Sequence, residues 1–147
     1  LAGGATLPAL ANPEDIEKAR RLLNESNPKQ AYMELIKHEA RLAGNIDYDY
    51  LLGVASLDSG KIDDAIVAFE RVLALNANHA GAQMDLARAY FAAGSFDLAE
   101  ASFKQLADSN PPPAAQQTIN RRAVTMMAAR VRAPFSSVSL LSSPQAA

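Results

Sequence analysis

The sequence predicts an all-helical solenoid made of three helix pairs and a closing helix. Recurrence is the first observation behind this. Ala31, Ala65 and Ala99 lie 34 residues apart, as do Ala19, Gly53 and Ala87, and Leu35, Phe69 and Phe103. Leu52 and Leu86, Gly60 and Gly94, and Ile62 and Phe96 keep the same interval. The second observation is helical spacing of apolar residues, interrupted at regular places by Gly, Asn and Pro. The third is that nothing in the body alternates with the period of two that a half-buried strand requires. A helix pair repeated at this interval cannot bury its apolar stripe alone, so successive pairs must stack.

The elements follow in order. Residues 1–11, LAGGATLPALA, are apolar and Gly-containing and end in Ala9-Leu10-Ala11. They have the look of the tail of a secretory signal with a small-x-small cleavage site, or else of a linker. Three units follow, at 12–45, 46–79 and 80–113. The first is the most worn, with its break at Ser26-Asn27-Pro28, where Pro suits a helix start. The second reads as a helix over 48–58, a break at Ser59-Gly60-Lys61 and a helix over 63–75. Ile66, Phe69, Val72 and Leu73 lie on one face of the latter. The third reads as helices over 82–93 and 97–107 around Gly94-Ser95, stopped at Asn110-Pro111. Residues 114–132 form one more helix, with a ragged apolar stripe of Ile119, Ala123, Met126, Met127 and Val131. Such arrays usually need a terminal helix over the last exposed face, so capping is its expected role. Residues 133–147, APFSSVSLLSSPQAA, are uncharged and Ser-rich and read as a flexible tail.

The small residues have a mechanical purpose. At positions 19, 53 and 87 the first helix of a unit presses on the second, and at 31, 65 and 99 the second presses back. Small side chains let the axes approach, and Phe69 and Phe103 fill the gap toward the next unit.

These residues resemble the tetratricopeptide repeat, whose signature runs Trp-x2-Leu-Gly-x2-Tyr, then Ala-x3-Phe, then Pro. The second unit supplies Leu52-Gly53, Ala65 and Phe69. The third supplies Leu86-Ala87, Tyr90, Ala99, Phe103 and Pro111. Asp49 and Gln83 stand in place of the Trp, Ser56 in place of Tyr and Ala77 in place of Pro. The resemblance implies a right-handed superhelix that binds other proteins without catalysis. More narrowly, residues 47–106 with 110–113 and 117–119 are similar to the soluble repeat domain ahead of the barrel in bacterial surface lipoprotein assembly modifiers. That similarity implies a periplasmic or envelope-associated setting, with the cytoplasm as the alternative.

Composition excludes several functions. The chain has no Cys, so it has no disulfide framework, thiolate metal site or cysteine nucleophile. Its net charge of −2 gives no whole-chain attraction to nucleic acid. No apolar run nears the roughly 20 residues that span a bilayer, so direct membrane insertion is not expected. Charge is nonetheless segregated. Residues 1–113 carry ten Lys/Arg against 16 Asp/Glu, and residues 114–147 carry Arg121, Arg122, Arg130 and Arg132 with no acid.

The sequence holds no active-site constellation, cofactor motif or metal set. His38-Glu39 lacks the second His of a zinc-protease helix, because position 42 is Leu. His38 takes a packing position in the second helix of its unit, and His79 sits in a turn. Asp63-Asp64 opens a helix, where the dipole favours acids, and Glu14 to Lys18 has the spacing of a surface ion pair.

What remains is a surface. In such a stack the first helices line a concave groove. The face counted along them comprises Ile16, Arg20, Leu23 and Asn24, then Asp47, Tyr50, Leu51, Val54, Leu57 and Asp58, then Met84, Asp85, Arg88, Phe91 and Ala92. From it, Arg20, Leu23, Tyr50, Val54, Leu57, Met84, Arg88 and Phe91 form the candidate partner-binding groove. Tyr50, Met84 and Phe91 are not required by packing within a unit and are expected to serve a peptide or helix ligand. The family's clamp for chaperone C-termini needs Lys, Asn and Arg at positions that here hold Ile16, Arg20, Leu51, Val54, Gly81 and Asp85, so that specialisation is not expected. The expected function is a non-catalytic scaffold or adaptor for a protein or peptide partner. The alternative is a self-associating module, a homo-oligomer through its groove or end faces.

Overall fold

A computed structural model of the chain describes residues 13–109 and 113–132. The signal-like segment 1–11 and the tail 133–147 lie outside the described residues. Eight helices run in order among them: α1 Pro13–Asn24, α2 Pro28–Ile36, α3 Glu39–Leu42, α4 Ile46–Asp58, α5 Ile62–Leu75, α6 Ala80–Ala92, α7 Phe96–Asp108 and α8 Pro113–Arg132. They form an all-α stack of antiparallel pairs, with no strand among the described residues. The pairs α4 with α5 and α6 with α7 are the most extensive packings, and α5 against α6 joins them.

The three breaks between paired helices share one geometry. Ser26, Gly60 and Gly94, each 34 residues apart, adopt positive φ of 59°, 81° and 78°. The next residue's N–H then reaches back five residues: Asn27 to the Leu22 carbonyl, Lys61 to Ser56, and Ser95 to Tyr90, at 2.8–2.9 Å. This motif satisfies the orphan carbonyls at a helix end and requires the left-handed conformation that Gly adopts without penalty. Ser26 makes the same turn with a side chain in the way. First helices start on a different device. The Asn45 side chain accepts the Tyr48 N–H at 3.0 Å, and His79 Nδ1 accepts the Ala82 N–H at 3.0 Å. Asp63 and Asp64 lie in the first turn of α5, but Lys61 caps that helix without a side-chain bond. The two acids therefore act there through the dipole rather than as a cap.

The first unit departs from its prediction. Its second helix is split into α2 and α3 at Lys37-His38, so His38 starts α3 rather than packing in mid-helix. The cause is Tyr48 from the next unit. Its fully buried hydroxyl donates to the Leu35 carbonyl at 2.7 Å, and the His38 N–H reaches the same oxygen at 2.9 Å. An unbroken helix would bring the Glu39 N–H there. A side chain inserted into the ladder is a recognised origin of a helix break. The expected Glu14–Lys18 pair also gives way, because Lys18 bonds Glu34 on α2 at 3.1 Å.

Three core clusters occupy the successive joints. The first gathers Ala19, Ala31, Leu35, Tyr48, Leu52 and Ala55. The second holds Ala65, Phe69, Val72, Ala82, Leu86 and Ala89, and the third Ala87, Phe103, Leu106 and Ile119. Gly53 shows why the small residues recur. A Cβ there would stand 2.5 Å from the Phe69 ring, so α4 and α5 approach as closely as they do only because it is missing.

One buried charge lies where the repeat signature has Trp. Asp49 is fully buried; its Oδ2 accepts the Gly44 N–H at 2.8 Å and its Oδ1 accepts Arg71 Nε at 2.9 Å. Arg71 also donates to Glu39 at 2.9 Å, across to the first unit. Burial pushes the Asp49 carboxyl above its usual range, against the pull of the Gly44 N–H and of Arg71. Burial also opposes the Arg71 charge, but bonds to Glu39 and the field of Asp49 outweigh it and raise its pKa. Removing Asp49 would leave both donors unsatisfied, which is how breaking a buried pair becomes costly.

Candidate functional site

The first helices lie on the inner side of the stack. α1 meets α4 and α4 meets α6, whereas the second helices of neighbouring pairs, α2, α5 and α7, approach one another less. Elements on the shorter side of a curved stack crowd together, so α1, α4 and α6 line its concavity.

The groove residues expected from the sequence separate into three groups. Arg20 is exposed and, among the described residues, pairs only with Glu17 on its own helix at 3.3 Å, an interaction of little energetic weight. Leu23, Val54 and Leu57 are half-buried, with one side against the core clusters and the other open. Tyr50, Met84, Arg88 and Phe91 are more engaged than the sequence suggests. Leu51, counted on the groove face, is buried in the first cluster.

Tyr50 is the clearest correction. Its ring lies 4.8 Å from His79 and 6.0 Å from Phe69, centroid to centroid. Its hydroxyl donates to Asp85 Oδ2 at 3.1 Å. A Cβ at Gly81 would stand 2.8 Å from that hydroxyl oxygen, so the glycine makes room for it. Tyr50 therefore packs within its unit and bolts α4 to α6. Burial, then the Asp85 charge and hydrogen bond, push its phenol up to about 12. Met84 belongs to the third cluster. Phe91 meets Phe96 edge-on at 5.2 Å. It also lines an apolar cleft with Phe103, Met126 and Met127 whose free space is about 20 Å³, room for one water and no ligand.

Asp85, expected as a groove border, is nearly buried. It takes Arg88 Nη1 at 2.7 Å as well as Tyr50, and Arg88 Nη2 reaches Asp58 at 3.5 Å. The inner face thus carries a fixed polar row, Tyr50–Asp85–Arg88–Asp58, beside aliphatic Val54 and Leu57. Such a face can offer apolar contact with oriented charge at its border. Among the described residues it presents no nucleophile paired with a base.

Sequence reasoning missed that the groove continues onto α8. Arg121, Arg122, Thr125 and Met126 share a concavity of about 210 Å³ with Arg88. The signal was the same interval: Arg20, Val54, Arg88 and Arg122 are each 34 residues apart, as are Leu57, Phe91 and Thr125.

The tetratricopeptide repeat family matches residues 56–121, from the last three residues of α4 through the third unit and into α8. No curated protein matches the chain. The matched stretch carries the Gly94 turn, the Ala87–Phe103 packing and the docking of Ile119 on the third cluster. By that match and by the stacked helix pairs, residues 56–121 are tetratricopeptide repeats.

Proposed function

We propose that this chain is a non-catalytic adaptor whose inner face holds a segment of a partner protein. Repeats of this family generally mediate protein–protein interaction. The observation that carries the reading is the half-buried aliphatic row of Leu23, Val54 and Leu57 on the inner helices, framed by Arg20, Asp58 and Arg88. Rigid helices present it already ordered, which lowers the entropic cost of binding. α8 closes the stack in this reading. Arg121 occupies the position that Ala19, Gly53 and Ala87 hold in the units, and a long charged side chain there opposes the approach of a further helix. The signal-like segment supports an envelope setting for the partner.

The test is site-specific photo-cross-linking in envelope and cytosolic extracts of the source cells. A cross-linker at Leu57 is expected to trap a defined protein, while one at the exposed outer residue Val67 traps none. Equal labelling from both positions, or none from either, would refute the groove as the site. The fraction that yields the product identifies the compartment.

A further inference from the structure

We propose that the arginine-lined end of the groove recognises an acidic peptide segment, with carboxylates placed beside an apolar residue. This deepens the adaptor reading and rests on it.

α8 holds four arginines and no acid, and no acid follows Asp108 in the sequence. Among the described residues no carboxylate pairs with the Arg121 or Arg122 guanidinium. Arg88, which faces the same concavity, is already satisfied by Asp85 and Asp58. The uncompensated charge is therefore that of Arg121 and Arg122, and Arg88 is held in place beside them. A guanidinium offers a planar fork of donors that matches a carboxylate in a bidentate way.

Shape decides between acidic ligands. Arg122 and Thr125 continue the columns that hold Arg88 and Phe91 on α6, and Arg121 lines the same concavity beside them, so the two guanidinium groups face the groove rather than a flat outer face. A bilayer surface cannot follow a cleft between two helices, whereas an extended peptide can. Met126, half-buried between the third cluster and the concavity, supplies an apolar contact next to the charges. The ligand chemistry that fits is Glu or Asp flanking an aliphatic residue.

The probe is a short fluorescein-labelled peptide alternating Glu and Leu, titrated into the full chain by fluorescence anisotropy. Its control replaces each Glu with Gln. The Glu peptide is expected to bind at least about tenfold more tightly than the Gln peptide, with the gap narrowing as salt rises. Arg121→Glu/Arg122→Glu should lose about tenfold or more at unchanged helicity and melting temperature, since both side chains are exposed. Arg121→Lys/Arg122→Lys should fall between the two, because it keeps the charge and loses the fork. Equal affinity for both peptides, or no loss in the Glu variant, overturns the proposal. So does preferential binding to vesicles containing phosphatidylglycerol, which assigns the patch to a membrane. A doubled mass at low salt that the Glu variant abolishes also overturns it, because the acidic body of a second copy is then the occupant. If the Leu57 cross-link persists while the Glu variant binds the peptide normally, only this proposal fails. If the cross-link fails too, the adaptor reading fails with it.

Discussion

Two joints in the stack solve one packing problem in opposite ways. Between the first and second units, Leu35 meets Tyr48. Between the second and third, Phe69 meets Ala82. The four residues are related by the 34-residue interval, and in each joint one large and one smaller side chain fill the gap. The exchange of sizes is close to neutral for packing, but it is not neutral for the backbone. A tyrosine brings a hydroxyl that must be satisfied when fully buried, and it takes the Leu35 carbonyl out of its helix. An alanine makes no such demand, and α5 runs unbroken from Ile62 to Leu75. The joints teach that volume can be conserved across a repeat while one polar atom changes the secondary structure.

Truncation breaks the comparison most strongly. Phe69→Ala should cost about 4 kcal/mol, because Gly53 has no side chain to collapse into the hole. Leu35→Ala should cost about 3 kcal/mol, since Tyr48 limits the cavity. Urea denaturation of both variants measures the difference, and an equal loss would argue against the distinction. Exchanging the joints sharpens it further. Leu35→Phe alone overfills the first joint and should cost about 2 kcal/mol. Paired with Tyr48→Ala it should recover on the order of 1 kcal/mol in a double-mutant cycle. The double variant should also gain helicity by circular dichroism, as the Lys37-His38 break closes.

Alkali tests the hydroxyls at both joints. The Tyr48 phenol is driven well up by burial, and that of Tyr50 rises to about 12. Because these folded-state values exceed the usual value near 10, the fold favours the neutral phenols. Their contribution is intact below pH 10 and declines as the pH rises toward 12. Thermal melts across that window should show Tm falling with pH, and Tyr50→Phe should flatten the slope. A variant as steep as the parent would mean that Tyr50 is not the responsible group. The smallest expected effect is a gain. Ser26 makes with φ 59° the turn that Gly60 and Gly94 make freely. Ser26→Gly should therefore stabilise the chain by about 0.5–1 kcal/mol, read as a higher urea midpoint.

Much of this architecture was legible in the residues. Gly60, Gly94 and the Ser26-Asn27-Pro28 break mark where helices end, because helix termination is a local property of a few residues. Gly53 and Ala87 were legible as close-approach positions because they recur opposite Phe69 and Phe103. The candidate groove was legible as a face of α1, α4 and α6, but not as a set of available side chains. Tyr50 looked unoccupied because its partners His79 and Asp85 are 29 and 35 residues away in the chain. Asp49 looked like a lost tryptophan, while it is a buried carboxyl held by Gly44 and Arg71.

By itself the sequence determined the helices, their turns and the interval at which they stack, since each follows from short-range periodicity and backbone preference. Only the tertiary structure decided that Tyr48 breaks its neighbour's helix, that Tyr50 and Asp85 join α4 to α6, and that the groove reaches Arg122. The physical reason is that hydrogen bonds and desolvation depend on which groups meet in space, and the meeting here occurs one repeat away.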